Sequence, residues 1–482
     1  MIEGTQDCKH PDNLSKGDFG GKQTMEPGRS LIWLIARKEI IANIRNFKTP
    51  VALVIMTLLL LLSAHALALD YRNRLNNWSV NRDSQRDPIV GGRVSYDLSD
   101  GSFSYGVGFS HPPPIHSPQP FSALIKGMDG EMDRSANVSQ RIVIGARHGE
   151  LATSALFDTP DTSFVVKLLV SLFALMFSLD AAPREKEVGT LRAMLAQPIR
   201  RRELILSKSL GASISLLAPF AVAYFVEIIY LHLAHGLLND RQDLVCAMLI
   251  FGFVSFYGIV FAHIGLFIST ITTRTRIAIT TALLAWATIV LILPNASVLM
   301  AKLLTPTPSY NQLNARLRDA RRRILQEEAE NNSAARTVRP SRQSLPRIYE
   351  IERQETDNYL ASKKDQNRRA RLFASLSPAG ALTFGLSDLA GTGTDAYNAY
   401  LDILGSSRDV MLDALKRSLD LSRQDADKLM QEAIETVANR QRRAEPLGAD
   451  LRSSIIPITS LLAWAVLFGL AACWRFKRYD VR

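Results

Sequence analysis

The chain has 482 residues, 47% hydrophobic and 21% charged, with a mean hydropathy of +0.03. Its apolar residues gather into runs of membrane-span length separated by two polar stretches, which argues against a single soluble core. A net charge of +11 would suit nucleic acid, but Lys and Arg placed beside spans account for it, so no nucleic-acid partner is expected; Cys8, Cys246 and Cys473 supply no disulfide framework to either polar stretch.

Residues 1–29 lack hydrophobic periodicity and the apolar core of a signal peptide, and read as a disordered cytosolic head. Gly17, Gly21 and Lys22 have the wrong spacing for a phosphate loop, so the chain shows no ATP site of its own. Residues 30–48 form an amphipathic interfacial helix, with Leu31, Leu34, Ile35, Ile41 and Ile44 interleaved with Arg37, Lys38, Arg45 and Lys48. Six transmembrane helices are predicted at 49–69, 164–180, 206–235, 244–270, 277–294 and 454–474, with a cytosolic tail at 475–482. The fold class is thus a mainly α membrane protein.

Orientation follows from the short connections. Basic residues cluster before the first span, between the second and third (Arg184 to Lys208), between the fourth and fifth (Arg274, Arg276) and after the sixth (Arg475, Lys477, Arg478, Arg482). Six spans put all four places on one side, so both termini are expected in the cytosol of a multi-pass protein of the cell (inner) membrane.

The inserts at 70–163 and 295–453 then lie outside. Alternating pieces such as Arg93–Leu98, Phe103–Phe109 and Arg141–Ile144 predict a small mixed α/β first insert. Leu313, Leu317, Ala320 and Ile324, and a further pattern after Pro346, predict a mostly helical second one. Leu372 to Leu389 is nearly uncharged but holds Pro378, Gly380 and Gly385, and is expected to lie at the outer membrane surface.

The cytosolic loop at 181–205 holds a short amphipathic helix: Val188, Leu191, Met194 and Leu195 share a face, and Pro198 ends it. Its Glu185-x-Glu187-x-Gly189-Thr190-Leu191 stretch, then Pro198, Arg200 and Lys208 leading into a span, resembles the ABC-2 permease family. Leu293-Pro-Asn-Ala296, Leu376-Ser-Pro-Ala379 and Leu389-Ala-Gly-Thr-Gly393 resemble the branch of that family with large inserts after the first and fifth spans. The resemblance implies a permease subunit, an exporter, driven by a separate ABC ATPase subunit that carries ATP and Mg, with a second permease chain and membrane lipid as further partners. It also implies that Arg184, Glu185, Glu187, Gly189, Thr190, Leu191, Pro198 and Arg200 couple to the ATPase. Pro183-Arg184 departs from the small, flexible pair that relatives often carry there and predicts a stiffer start to the helix.

Outside the loop, Glu227 in the third span and Lys167 in the second are candidates for a cargo pathway, because ionised groups in hydrocarbon are costly. A rival reading makes them an interfacial ion pair or snorkelling residues. His232 with His235, and His111 with His116, lack the further ligands of a metal site, and His65 and His263 read as packing or hydrogen-bonding residues inside the bundle. No catalytic or metal residue is expected, since neither a His-Glu-x-x-His pair nor a Gly-x-Ser-x-Gly elbow occurs. Gly252, Ser255, Gly258, Ala262 and Gly265 give the fourth span a small-residue surface suited to close packing or a subunit interface. The alternative function is an ATPase-driven scaffold or mechanotransmitter that works through the outer inserts without passing cargo.

Overall fold

A computed structural model describes residues 27–84, 95–97, 102–104, 117–129, 137–138, 142–143, 161–179, 183–189, 194, 200–238, 240–331, 344–418, 421–443 and 453–478. The chain is mainly helical, and 6 of its helical stretches are long and apolar enough to cross a membrane. Helix α1 (Pro27–Arg45) turns at Phe47, whose φ is 57°, into α2 (Lys48–Ser84). At ~1.5 Å per residue α2 outlasts a hydrocarbon layer of ~30 Å, and its second half projects beyond it.

Four further crossings follow: α3 (Thr162–Leu179), α5 (Arg201–His235), α6 (Arg241–Ile271) and a composite fifth. That fifth crossing joins α7 (Thr275–Trp286) to α8 (Leu293–Leu304) through a π-helical turn at Ala287–Ile292. Pro294 has no N–H to continue the α ladder, and Leu293 N instead reaches back to Thr288 O. Trp286 Nε1, at the start of the turn, donates to Ser171 Oγ of α3 at 2.8 Å. The sixth crossing is α14 (Ile455–Lys477).

The bundle core is aromatic and tight, with Phe173, Phe220, Tyr224, Phe253, Tyr257 and Phe261 all buried. A Cβ on Gly258 would stand 2.8 Å from Leu216 Cδ2 and 3.1 Å from Val170 Cγ1, and one on Gly265 would collide with Ser178. These two positions of the fourth-span small-residue surface are spent on packing inside the chain and do not face a second subunit.

Two expectations need correction. The described residues of the first insert do not support a mixed α/β domain: among them, strand pairing is limited to Ser95–Asp97 with Ser102–Ser104 and Asn137–Val138 with Ile142–Val143. Ladders of that length cannot form a sheet with a core. What positions this insert is the buried stretch Gln119–Asp129, where Arg74 of α2 binds Asp129 and lies 2.9 Å from Asp70, and Met128 N donates to Thr392 O at 2.8 Å.

The second correction concerns α11 (Pro378–Leu389), which does not lie at the membrane surface. Every one of its residues is buried, and it packs among α3, α6 and α14. Ser377 caps it by accepting from Gly380 N at 2.9 Å, and Pro378 takes the first position, where its missing N–H costs nothing. The glycines that lower its intrinsic propensity allow close approach: a Cβ on Gly385 would strike the ring of Phe253.

Outside the bundle stand α9 (Tyr310–Asn331), α10 (Leu345–Ala374), α12 (Thr394–Ser418) and α13 (Arg423–Arg443). Helices α10 and α12 run antiparallel and are joined by ionic rungs: Glu350–Lys416 at 2.7 Å, Asp357–Arg408 at 2.6 Å, Lys364–Asp402 and Arg371–Asp395 at 3.0 Å. The acidic partner changes helix halfway along, so a one-heptad slip sets Asp357 against Asp402 or Lys364 against Arg408. Charge order therefore fixes the register. The last rung is also the anchor to the bundle, because Arg371 binds Asp388 of α11 at 2.5 Å and the carbonyl of Ser453 ahead of α14.

Candidate functional site

A short helix, α4 (Pro183–Val188), leaves the end of α3, with Pro183 buried at its first position. Three of its four consecutive ionic residues, Glu185, Lys186 and Glu187, reach three different parts of the bundle. Glu185 Oε1 receives Lys208 Nζ of α5 at 2.9 Å, and the same ammonium reaches Glu39 Oε1 of α1 at 2.8 Å. The Lys208 side chain is only 1% exposed, so its charge is held by these two carboxylates with little help from water. One turn on, a Cβ at Gly211 would lie 2.8 Å from Glu39 Cβ and 3.1 Å from Ala36 O, so α1 lies directly against α5.

Lys186 Nζ turns to the end of α6, donating to the carbonyls of Thr272 (2.8 Å), Thr270 (3.1 Å) and Ser269 (3.5 Å). Helix ends leave such carbonyls without intrahelical partners, and a cation there also suits the helix dipole. Glu187 takes the opposite role across the same turn. Its carboxylate accepts from Thr275 N at 2.8 Å and Thr275 Oγ1 at 3.0 Å, closing the start of α7. One residue thus holds the end of the fourth crossing and the next holds the beginning of the fifth.

Gly189 ends the helix with φ 80°, and its N–H returns to Lys186 O at 3.3 Å. That left-handed conformation is open to glycine and strained for most other residues. Arg184 is exposed, and Val188 presents an apolar side chain 69% exposed. Arg200 is exposed as well, while its carbonyl starts α5 by accepting from Glu203 N and Leu204 N. Thr190, Leu191 and Pro198 lie outside the described residues. Met194 packs against the cluster of Ile35, Leu204, Ile205, Leu266, Ala472 and Phe476, so the apolar residues of this loop do not share one environment.

The same end of the bundle gathers the four basic stretches picked out in the sequence. Lys38 lies 3.8 Å from Glu185, Arg201 donates to Lys477 O at 2.8 Å, and the Arg274 to Arg276 turn is held by Glu187. Glu39, Thr275 and the pairing of Lys208 were missed by sequence reasoning. The available signals were the acidic residue beside Lys38 on an otherwise basic amphipathic helix and the lysine close to the start of an apolar span.

Glu227 and Lys167 sit elsewhere, deep toward the opposite end. Glu227 is fully buried and accepts from Thr162 Oγ1 at 2.8 Å, and buried Lys167 lies 5.1 Å from the Phe164 ring centroid. Asp161 caps α3 beside them, accepting from Phe164 N at 2.9 Å and Lys126 N at 3.1 Å. Burial pushes its carboxyl up to about 6, against the lowering effect of those amides and of Lys167. His65 and His235 share the hydroxyl of Tyr230 at 2.7 and 3.4 Å, and His232 contacts Leu237 O. Among the described residues no group of three His, Cys, Asp or Glu could hold a metal ion; His111 and His116 lie outside them.

No curated protein matches the chain. The sequence profile of the ABC-2 family transporter protein matches residues 33–481, a stretch that runs from α1 through all six crossings to the tail. With six apolar helices of span length and a family match over almost its entire length, the chain belongs to the ABC-2 family of transporter proteins and is a multi-pass membrane permease of that type.

Proposed function

We propose that this permease is an exporter subunit whose work is driven by ATP hydrolysis, with Mg, on a separate ATPase docked against residues 183–189. The observation that carries the reading is the triple hold of α4, in which Glu185, Lys186 and Glu187 fasten one short helix to α1 and α5, to the end of α6 and to the start of α7. A force applied to such a helix is passed to several crossings at once, whereas a loosely tethered loop would absorb it. Exposed Val188 and Arg184 offer the partner an apolar contact and a charge. The gathering of the basic stretches at this end supports cytosolic termini under the positive-inside bias, with both inserts outside the inner membrane and a second permease chain completing the conduit.

The test is affinity purification of the full chain from its native membranes. Wild type brings down an ATP-hydrolysing partner, and Val188→Asp inserts normally but loses most of it. Equal recovery of ATPase with both proteins would contradict the docking assignment.

A second reading, mechanotransmission through the outer inserts without cargo passage, is supported by Arg371, which links the outer helix pair to both α11 and the segment ahead of α14. The two separate on Arg371→Met. A mechanotransmitter loses function in the cell while keeping its ATPase, and a conduit retains partial flux.

A further inference from the structure

Helix α14 is the least buried of the six crossings, with 22% of its most apolar stretch inside the protein. Its bare side is ordered along the helix. Leu467, Leu470 and Trp474 are exposed, and exposed Lys477 and Arg478 continue the series at intervals of three and four residues, so all five share one face. That face changes from apolar to aromatic to cationic toward the end of the bundle that holds α4.

The cationic end is held in place by contacts from two helices. The Arg478 guanidinium lies 4.1 Å from the centroid of the Trp474 ring, whose face attracts it. Arg201 Nη1, in the first turn of α5, donates to Lys477 O at 2.8 Å, so its guanidinium stands at the peptide that joins Lys477 to Arg478. Arg201, Lys477 and Arg478 thus gather three positive charges at the last turn of α14. At the same end Lys38 and Lys208 are balanced by Glu185, but among the described residues neither Lys477 nor Arg478 pairs with a carboxylate. Guanidinium and ammonium donors collected in this way are completed by an anion.

Height along the helix identifies the anion. At ~1.5 Å per residue from Ile455, Trp474 stands roughly 29 Å along α14 and Arg478 roughly 35 Å, which sets the ring at the edge of ~30 Å of hydrocarbon and the cations in the headgroup layer. Charge argues against a second copy on this face. Two copies crossing one membrane in the same direction meet at equal height, so a symmetric contact here would bring these cations against their own counterparts. We propose that this face binds an anionic phospholipid, with the headgroup phosphate on Arg201, Lys477 and Arg478 and an acyl chain along Leu467, Leu470 and Trp474. The site requires only that α14 cross the bilayer, so it stands or falls separately from ATPase docking.

The test uses the full chain in a neutral detergent, titrated with phosphatidylglycerol, phosphatidylcholine or inorganic phosphate while the unfolding midpoint is followed. Phosphatidylglycerol raises the midpoint of wild type, and the other two do not. The half-effective concentration rises roughly thirtyfold in Lys477→Gln/Arg478→Gln, as loss of two headgroup-facing cations implies. It rises severalfold in Trp474→Leu, which keeps every charge but removes the ring under Arg478. Arg316→Gln/Arg323→Gln, on the exposed side of α9, loses the same charge and titrates like wild type. Equal effects of the two double variants would reduce the response to net charge and overturn the site, as would an unchanged titration in Lys477→Gln/Arg478→Gln. A response to inorganic phosphate as large as that to phosphatidylglycerol would overturn the lipid. Loss of a dimer in Lys477→Gln/Arg478→Gln with the titration unaltered would assign the face to a second copy instead.

Discussion

At the scale of single residues, the loop between α3 and α5 is held by groups that each satisfy a specific deficit. Lys208 is the sharpest case, since its ammonium is buried between two carboxylates from different elements. Lys208→Met leaves Glu39 and Glu185 facing each other without a cation and is expected to cost about 3 kcal/mol, read as a lowered denaturation midpoint. Adding Glu39→Gln to that variant recovers part of the loss. A pH signature is available at Asp161. Its folded value is raised to about 6 above the ordinary carboxylate, so it contributes stability that is complete at low pH and is lost as pH rises through about 6. Asp161→Asn keeps a capping oxygen and removes the titration, and its unfolding midpoint should vary less than that of wild type between about pH 4 and 6. The sequence exposed Glu185, Glu187 and Gly189 through a pattern of several residues in order. It did not expose Glu39 or Thr275, whose roles arise only when α1 and the start of α7 are brought to the loop in space.

At the scale of elements, the six apolar helices were legible because a span announces itself by length and composition alone. Helix α11 was not. Its proline and glycines read as breakers, yet Pro378 occupies the first helical position and Gly385 makes room for Phe253, functions that depend on what packs there. The outer pair α10 and α12 was also out of reach, because its register lies in charges 24 to 66 residues apart in sequence. Exposed rungs contribute little individually. Asp402→Lys, which sets two lysines on one rung, is expected to lower stability by less than about 1 kcal/mol, and adding Lys364→Asp restores it. The anchor is different in kind: Arg371→Met leaves Asp388 buried without its cation and should cost about 3 kcal/mol by chemical denaturation, with Asp388→Asn in the same chain recovering part of it.

On the scale of the whole molecule, two fastened ends are joined by a closely packed bundle. At one end α4 grips three neighbouring parts of the membrane bundle, and at the other Arg371 and the Gln119–Asp129 stretch tie both outer inserts to the helices beneath them. Under the coupling proposed above, such a body passes a push on as a rigid displacement only while the grip of α4 holds. The most direct test is amide hydrogen exchange on the permease purified with its ATPase, with and without a non-hydrolysable ATP analogue. In wild type, nucleotide changes exchange at the end of α6, at Thr275 and its first turn, and at Gly391 to Gly393 above the bundle. Glu185→Ala/Lys186→Ala/Glu187→Ala keeps the change within the ATPase and abolishes it in the permease. Nucleotide-dependent exchange that persists unaltered in this triple variant would contradict transmission through α4.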